Sequence, residues 1–134
     1  MYPHILRHFI SALVSASVCI LLLSATSAIA HGWVAPEEAA QKKNPVNADQ
    51  ASVTRGRELF MNNCAYCHSG DGRGMEAAEA GLSKAPPDLI KRLAGHSDGD
   101  FFWKIEKGRG DMPSFEGTMQ EKEIWDIINF LKTR

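Results

Sequence analysis

The chain has 134 residues, of which 44% are hydrophobic and 23% are charged, and its formal net charge at pH 7 is −1. This length suits one small domain, whose polypeptide core alone gives only marginal stability. Because 15 Lys and Arg face 16 Asp and Glu, there is no basic surplus, and we expect no nucleic-acid partner.

The first thirty residues have the pattern of an export signal. Arg7 lies in a short polar start, residues 9–23 are uncharged and largely apolar, and Ala28 and Ala30 are the small residues that a signal peptidase reads. We therefore expect cleavage before His31 and a periplasmic mature protein. The alternative is an uncleaved membrane anchor, because residues 9–30 carry no charge and could just span a bilayer.

The next segment changes from irregular to helical. Residues 31–51 contain Pro, Ala and charged residues without a clear period, so we predict an extended arm on the surface of the domain. From Ser52 the sequence begins with residues typical of a helix N-cap and continues to Cys64. Gly56 and Phe60 are four residues apart and share one face of this helix, so a second helix can cross closely at Gly56.

Cys64-x-x-Cys67-His68 follows this helix, and it is the pattern by which a polypeptide binds haem covalently. Each thiol can add to one vinyl group of the porphyrin, and the imidazole of the next residue then falls under the iron. We predict one covalently attached haem c, with Cys64 and Cys67 as attachment residues and His68 as an iron ligand. A zinc site lacks further ligands, because the only other Cys is Cys19, and a thioredoxin-like motif needs a βαβ context that is not apparent.

A loop region follows the motif. Residues 70–74 are rich in Gly, and Pro86 and Pro87 hold residues 85–89 in an extended conformation. A ligating imidazole needs its second nitrogen fixed by an acceptor, and a free backbone carbonyl of residues 85–89 could supply it for His68. The alternative is a rigid loop that does not contact His68.

Two further helices are predicted in the C-terminal half. Ser97 and Asp100 resemble a capping box at the start of a helix over Asp98–Lys107, and Gly108 is a suitable stop. Residues 120–132 repeat apolar side chains with a helical period, and aromatic residues widen this face. No β periodicity appears, so the predicted fold class is all-α.

The sixth position of a haem iron decides between electron transfer and small-molecule chemistry. Met112 is the best candidate ligand, because residues 108–113 form a turn-rich loop, stiffened by Pro113, that could approach the opposite face of the ring. A second imidazole from His96 and an open position are the alternatives. Met61 precedes Cys64 on the same helix and is assigned to the core.

Together these features resemble a class I cytochrome c over about residues 52–134. The motifs that carry the resemblance are Cys64-x-x-Cys67-His68, Gly56, Phe60, Pro86-Pro87 and Met112-Pro113, with a closing aromatic helix. The segments around Asp98–Lys107 and Met112 are similar to short bacterial monohaem cytochromes c that serve dehydrogenases and terminal oxidases.

The resemblance implies three to four helices wrapped around one covalently bound haem. It further implies His68 and Met112 as the two iron ligands. It also implies that the helix before the motif touches the last helix, with contacts of Gly56 and Phe60 to Ile127 and Phe130.

The expected organisation is a signal peptide at residues 1–30, an arm at residues 31–51 and a cytochrome c domain at residues 52–134. We expect a periplasmic electron carrier rather than an enzyme, cycling between Fe(III) and Fe(II). Its expected partners are a terminal oxidase, dehydrogenase or reductase, with transient docking on a membrane complex and no small-molecule substrate. The alternatives are a haem enzyme or gas sensor with an open sixth position, and a redox-active dithiol protein without haem.

Overall fold

The computed structural model describes residues 32–134, so the predicted signal segment and the cleavage site before His31 lie outside the described residues. Residues 34–134 form one compact unit. The helices of the described part are α1 (Glu37–Ala40), α2 (Gln50–Asn63), α3 (Ala65–His68), α4 (Leu89–Leu93), α5 (Asp98–Lys107) and α6 (Glu121–Leu131). Since residues 32–134 contain no β-strand, the all-α prediction is confirmed. Among these helices, none is long and apolar enough to span a membrane.

Helices α2 and α6 cross at Gly56, as the sequence predicted. A Cβ atom at Gly56 would overlap the backbone carbonyl of Asp126 and lie 3.0 Å from the Ile127 nitrogen. One turn further along α2, the Phe60 ring meets the Phe130 ring at a centroid distance of 5.5 Å. The bare backbone at Gly56 therefore lets two aromatic side chains pack beside the crossing.

The hydrophobic core joins α2, α5 and α6. On α6, Trp125 is one of the most buried side chains of this core. Its ring stacks on that of Phe102 of α5 at a centroid distance of 4.3 Å. The buried core residues are Phe60, Phe101, Phe102, Ile105, Ile124, Trp125, Ile127, Ile128, Phe130 and Leu131. One continuous core thus holds α5 and α6 against the helix that precedes the Cys64 motif.

The caps of the helices differ in part from the sequence prediction. Asp49 caps α2, where its carboxylate accepts from the Ser52 N–H at 2.8 Å, so the expectation that this helix begins at Ser52 is wrong by two residues. Ser52 is buried instead, and its hydroxyl donates to Asp126 at 2.5 Å. The box of reciprocal bonds lies at α6, between Gln120 and Glu123. At α5 only half of the predicted box forms, because the Ser97 hydroxyl accepts from the Asp100 N–H at 3.2 Å.

The segment predicted as an extended arm contains one helical turn. Helix α1 lies within it and packs against α5. The Ala35 N–H donates to the Asp100 carboxylate at 2.9 Å, and the Asn44 side chain donates to Asn129 of α6 at 2.8 Å. Contacts of this kind are between residues far apart in sequence, so the local pattern of residues 31–51 does not reveal them.

Candidate haem site

Cys64, Cys67 and His68 lie on one helical turn directly after α2. The Cys64 N–H donates to the Phe60 carbonyl at 2.8 Å and ends α2. The N–H groups of Cys67 and His68 both donate to the Cys64 carbonyl, at 3.1 and 2.9 Å, and these bonds form α3. The turn fixes the spacing of the two sulfur atoms and holds the imidazole next to them.

The two thiols are half-buried and are not joined in a disulfide. Burial, with a smaller effect from Cys67, raises the pKa of the Cys64 thiol to about 12. A thiol–disulfide exchange protein needs the opposite shift, because its nucleophile is the thiolate. The environment of Cys64 therefore disfavours the dithiol alternative.

The His68 imidazole is buried, and its surroundings favour the uncharged form of the ring. Burial lowers the pKa of His68, and the backbone carbonyl of Pro87 opposes this shift. The Pro87 carbonyl thus lies close enough to His68 to affect its pKa, while the buried Nδ1 atom of the ring has no hydrogen-bond partner. The predicted proximity of the proline loop to His68 is thus observed, with a contact looser than expected.

Gly74 allows the proline loop to come close to His68. The Gly74 N–H donates to the His68 carbonyl at 3.0 Å. A Cβ atom at Gly74 would overlap the Pro86 carbonyl and lie 3.2 Å from that of Pro87, and the φ angle of +78° to +80° at Gly72 and Gly74 suits glycine. Sequence reasoning recognised this stretch only as a loop, although its repeated glycines were the available signal.

Met112 lies in a tight loop that follows α5. Its backbone pairs with that of Arg109 through two hydrogen bonds of 2.9 and 3.1 Å. Gly108 has a φ angle of +63°, and a Cβ atom there would lie 2.6 Å from the Met112 carbonyl. The side chain of Met112 is half-buried and packs against the hydrophobic core. The loop therefore has a defined shape and carries Met112 at the edge of the core.

A set of apolar side chains near these segments stays only partly buried. The set packs on the core and comes from α4 and from the segment between α5 and α6; its members include Leu89, Ile90, Leu93, Met112, Phe115 and Met119. A flat apolar group would cover such side chains, since partly exposed hydrophobic surface of this kind marks a ligand site. Together with two half-buried thiols and a buried imidazole, they fit haem.

Other metal sites have no support in the described part of the chain. Residues 32–134 contain no cluster of three or more His, Cys, Asp or Glu side chains that could hold a metal ion. The His96 Nδ1 atom lies 2.9 Å from Asp100 and 3.4 Å from Lys104, so this imidazole is engaged in a polar cluster at the start of α5.

The assignment of Met61 to the core is wrong. Its side chain is 44% exposed, and a Cβ atom at Gly70 would lie 3.3 Å from its terminal methyl group. Tyr66, inside the Cys64 motif, is 79% exposed. Both side chains lie on the solvent side of the α2–α3 junction, where helical spacing alone does not fix the inward face.

Comparison with known proteins agrees with the geometry of the site. The family model described as "Cytochrome C oxidase, cbb3-type, subunit III" matches residues 51–131. The chain is 35% identical over 82 residues to cytochrome c6 of Limnospira maxima, covering 59% of this chain and 89% of that protein. It is 26% identical over 81 residues to cytochrome c6 of Synechococcus elongatus, covering 60% of this chain and 88% of that protein.

A solved structure is also similar. A chain of the Kuenenia stuttgartiensis reducing HAO-like protein complex Kustc0457/Kustc0458 superposes with a TM-score of 0.56 at 23% identity. The match covers 66% of this chain and 46% of that chain, and at this identity it supports the fold alone. Because the family model covers most of the chain and includes the Cys64 motif and Met112, the chain belongs to this family of c-type cytochromes, as a monohaem class I cytochrome that carries one covalently bound haem c and transfers electrons.

Proposed function

We propose that Cys64 and Cys67 form the two thioether bonds to haem c and that His68 and Met112 are its axial ligands. The protein is an electron carrier and not an enzyme, and it exchanges single electrons with redox proteins. The observation that carries this proposal is the α3 turn, which brings two half-buried thiols and a buried imidazole onto one helical turn beside partly buried apolar side chains.

The Met112 loop supports the choice of the sixth ligand. Its two glycine turns and the Arg109–Met112 backbone pair fix the loop, and the side chain is already directed against the core. His96 belongs instead to a polar cluster with Asp100 and Lys104 at the start of α5. A thioether paired with an imidazole favours the reduced state relative to two imidazoles.

The residues around the site have simple roles in electron transfer. Haem c supplies a one-electron Fe(III)/Fe(II) couple when it is bound. His68 and Met112 would both bind the haem iron, and with both in place the iron would offer no position to a small-molecule substrate. Gly74 lets the Pro86–Pro87 loop come close to the imidazole, and the apolar side chains of α4 and the Met112 loop would limit the access of water. A site whose ligands stay in place needs little rearrangement when the charge changes, which suits an electron carrier.

The compartment and partners are part of the same proposal. We place the mature protein in the periplasm, with residues 1–30 removed before His31, because these residues have the pattern of an export signal. Its partners are membrane-bound redox complexes of the oxidase, dehydrogenase or reductase class, met by transient docking. N-terminal sequencing of the exported protein should begin at His31, whereas intact Met1 in the membrane fraction would contradict cleavage.

The attachment residues are tested by extraction of the haem. Protein matured with a haem-ligation system should keep its chromophore on the polypeptide after acid–acetone treatment. Cys67→Ala should keep at most one thioether bond, and the Cys64→Ala/Cys67→Ala double variant should release all haem into the solvent. Tyr66→Phe, an exposed substitution inside the same turn, is the matched control and should behave as the unmutated protein does. Release of haem from the unmutated protein would exclude both thioether bonds.

A further inference from the structure

Residues 35–44, which we call the clasp, lie outside the region that the family model matches and cover the start of α5. The clasp includes α1. Ala35 at its beginning is buried, and its N–H donates to the Asp100 carboxylate at 2.9 Å. The Ser97 hydroxyl, at the N-cap of α5, donates to the Ala40 carbonyl at 2.5 Å. The clasp is therefore bonded to the first turn of α5 from two sides.

The contact between the clasp and α5 depends on Gly99. A Cβ atom at this position would overlap the Ala39 carbonyl and would lie 2.6 Å from that of Lys42 and 2.9 Å from that of Ala40. All these atoms are backbone, so they cannot move aside by a change of rotamer. No side chain fits between the clasp and α5, and the absence of one at Gly99 is what allows the close packing.

The clasp also reaches α6. The Lys42 ammonium lies 4.2 Å from the centroid of the Phe102 ring and 3.0 Å from the Glu121 carboxylate. Asn44 donates to Asn129 at 2.8 Å. The clasp thus fixes α5 relative to α6 over the face where Phe102 packs.

The other end of α5 carries the Met112 loop. The carbonyl of Glu106 accepts hydrogen bonds from the N–H groups of Phe115 and Glu116, at 3.1 and 3.0 Å, and from the Ser114 hydroxyl at 2.7 Å. Lys107 forms an ion pair of 2.5 Å with Glu116. The loop that contains Met112 is therefore bonded to the last turn of α5, and its position depends on the position of that helix.

We propose that the clasp positions Met112, by holding the first turn of α5 so that the loop at its last turn keeps the thioether on the iron. A helix of 10 residues moves as one body, so a tilt imposed at Gly99 is transmitted to residues 108–115. The residues of the clasp are positioning residues and do not touch the ligand. This inference rests on the proposed function, because it assumes that Met112 is the sixth ligand.

Imidazole added to the ferric holoprotein tests the inference, because it binds only when Met112 has left the iron. Its apparent affinity is proportional to the population of that open state. Gly99→Ala, which inserts a methyl group between the clasp and α5, should raise this affinity by about tenfold. On heating, the same variant should lose the near-infrared sulfur-to-iron band first and its helical content only at a higher temperature. In the unmutated protein the two losses should coincide.

Three controls separate positioning from general instability. Gly95→Ala is a matched control, because the nearest atom to its new Cβ would be the Arg92 carbonyl oxygen at 3.9 Å. Ile128→Val lowers the unfolding temperature from within the core. Both should leave the affinity for imidazole unchanged. Lys42→Gln, compared with Lys43→Gln, provides a second test at an exposed position and should raise the affinity by about twofold.

Each outcome of this experiment decides a different point. An unchanged affinity in both Gly99→Ala and Lys42→Gln overturns the inference, and so does an equal rise in Gly99→Ala and Ile128→Val, which would mark general instability. Absence of the sulfur-to-iron band in the unmutated protein would instead overturn the assignment of Met112, and the inference with it. A rise confined to the clasp variants supports the inference.

Discussion

Burial sets the charge of the side chains that the haem site uses. It raises the pKa of the Cys64 thiol to about 12 and lowers the pKa of His68. Both groups are therefore uncharged near neutral pH in the folded chain. A neutral imidazole keeps the lone pair that an iron ligand needs.

Asp126 is the buried charge that lies at the helix crossing, and it is only 1% exposed. Burial opposes the ionisation of its carboxyl, but hydrogen bonds from Arg55, Lys122 and the Ser52 hydroxyl outweigh this effect and hold its pKa below the ordinary value. The distances to these partners are 2.9 Å for Arg55, 2.8 Å for Lys122 and 2.5 Å for Ser52.

Asp126→Asn should destabilise the holoprotein at pH 7 by about 1–2 kcal/mol, because it leaves two partly exposed cations without their counter-charge. A carboxyl with a lowered folded pKa stabilises in full above its unfolded pKa of about 3.9 and loses that contribution as the pH falls through the folded value. The difference between the two proteins should therefore be present at pH 7 and shrink at lower pH. Urea unfolding at a series of pH values measures it.

Asp98→Asn is the matched control for this prediction. Asp98 pairs with Lys132 at 2.9 Å in a setting where both side chains are partly exposed, so its loss should cost no more than about 1 kcal/mol. A difference between Asp126→Asn and the unmutated protein that is constant from pH 7 down to pH 2 would contradict a role for the ionised carboxylate.

Sequence alone could predict those residues of the site that lie close to one another along the chain. Cys64, Cys67 and His68 lie within one turn, so their spacing in the sequence is also their spacing in space. The contact of His68 with Pro87 could be predicted only as a possibility, since it depends on how a loop closes. Met61 was misassigned because α2 ends beside it, where the chain changes direction.

At the scale of elements, the sequence indicated one close helix crossing, that of α2 with α6, and the structure contains it. Gly56 supplies the bare backbone, and Phe60 and Phe130 pack one turn away. The two helices hold the first cysteine of the haem motif against the core, because α2 ends at Asn63 and Cys64 follows it directly.

Gly56→Ala should destabilise the holoprotein by roughly 1–3 kcal/mol, because the new methyl group would overlap the Asp126 carbonyl and force the helices apart. The sign is informative, since Ala is favoured over Gly within a helix by about 1 kcal/mol. Chemical denaturation gives the free energy of unfolding. Arg57→Ala, an exposed change at the next position, should stay within about 0.5 kcal/mol, and a stabilised Gly56→Ala would contradict the crossing.

Helical periodicity predicted α6, whereas α2 and α5 were predicted from capping residues at their starts. The exact starts were harder to predict. Asp49 and Ser52 are both good capping residues, and only the tertiary contact of Ser52 with Asp126 shows that Ser52 belongs inside the helix. Helix α4 was not predicted, since five residues are too few to show a period.

On the scale of the whole molecule, the buried and the partly exposed apolar side chains come from different segments. The buried side chains of α2, α5 and α6 form one cluster, while apolar side chains of α4 and the Met112 loop stay partly exposed. A small domain has little core of its own, so a bound apolar group adds substantially to its stability. This division explains why a short chain folds around a cofactor.

The path of the clasp could not be predicted from the sequence. Its contacts pair residues that are far apart in the chain, such as Ala35 with Asp100 and Asn44 with Asn129, and some of them use backbone groups that carry no sequence signal. The close packing at Gly99 was not predicted either, because a glycine in the first turn of a helix can serve several different structural purposes. The fold class and the haem motif, by contrast, follow from local pattern.

The central claim is that His68 and Met112 together close the coordination shell, which confines the protein to electron transfer. Ferric protein near neutral pH should show the weak near-infrared band of sulfur-to-iron ligation, and Met112→Ala should abolish it while leaving the helical content unchanged. Met119→Ala, at another partly buried methionine, is the control and should keep the band.

Carbon monoxide gives the most direct measurement. Mixed with the ferrous unmutated protein, it should leave the Soret spectrum unchanged, because the sixth position is occupied, whereas ferrous Met112→Ala should bind the gas readily. Rapid and complete binding of carbon monoxide by the unmutated protein would contradict a closed shell and would instead favour a haem enzyme or gas sensor.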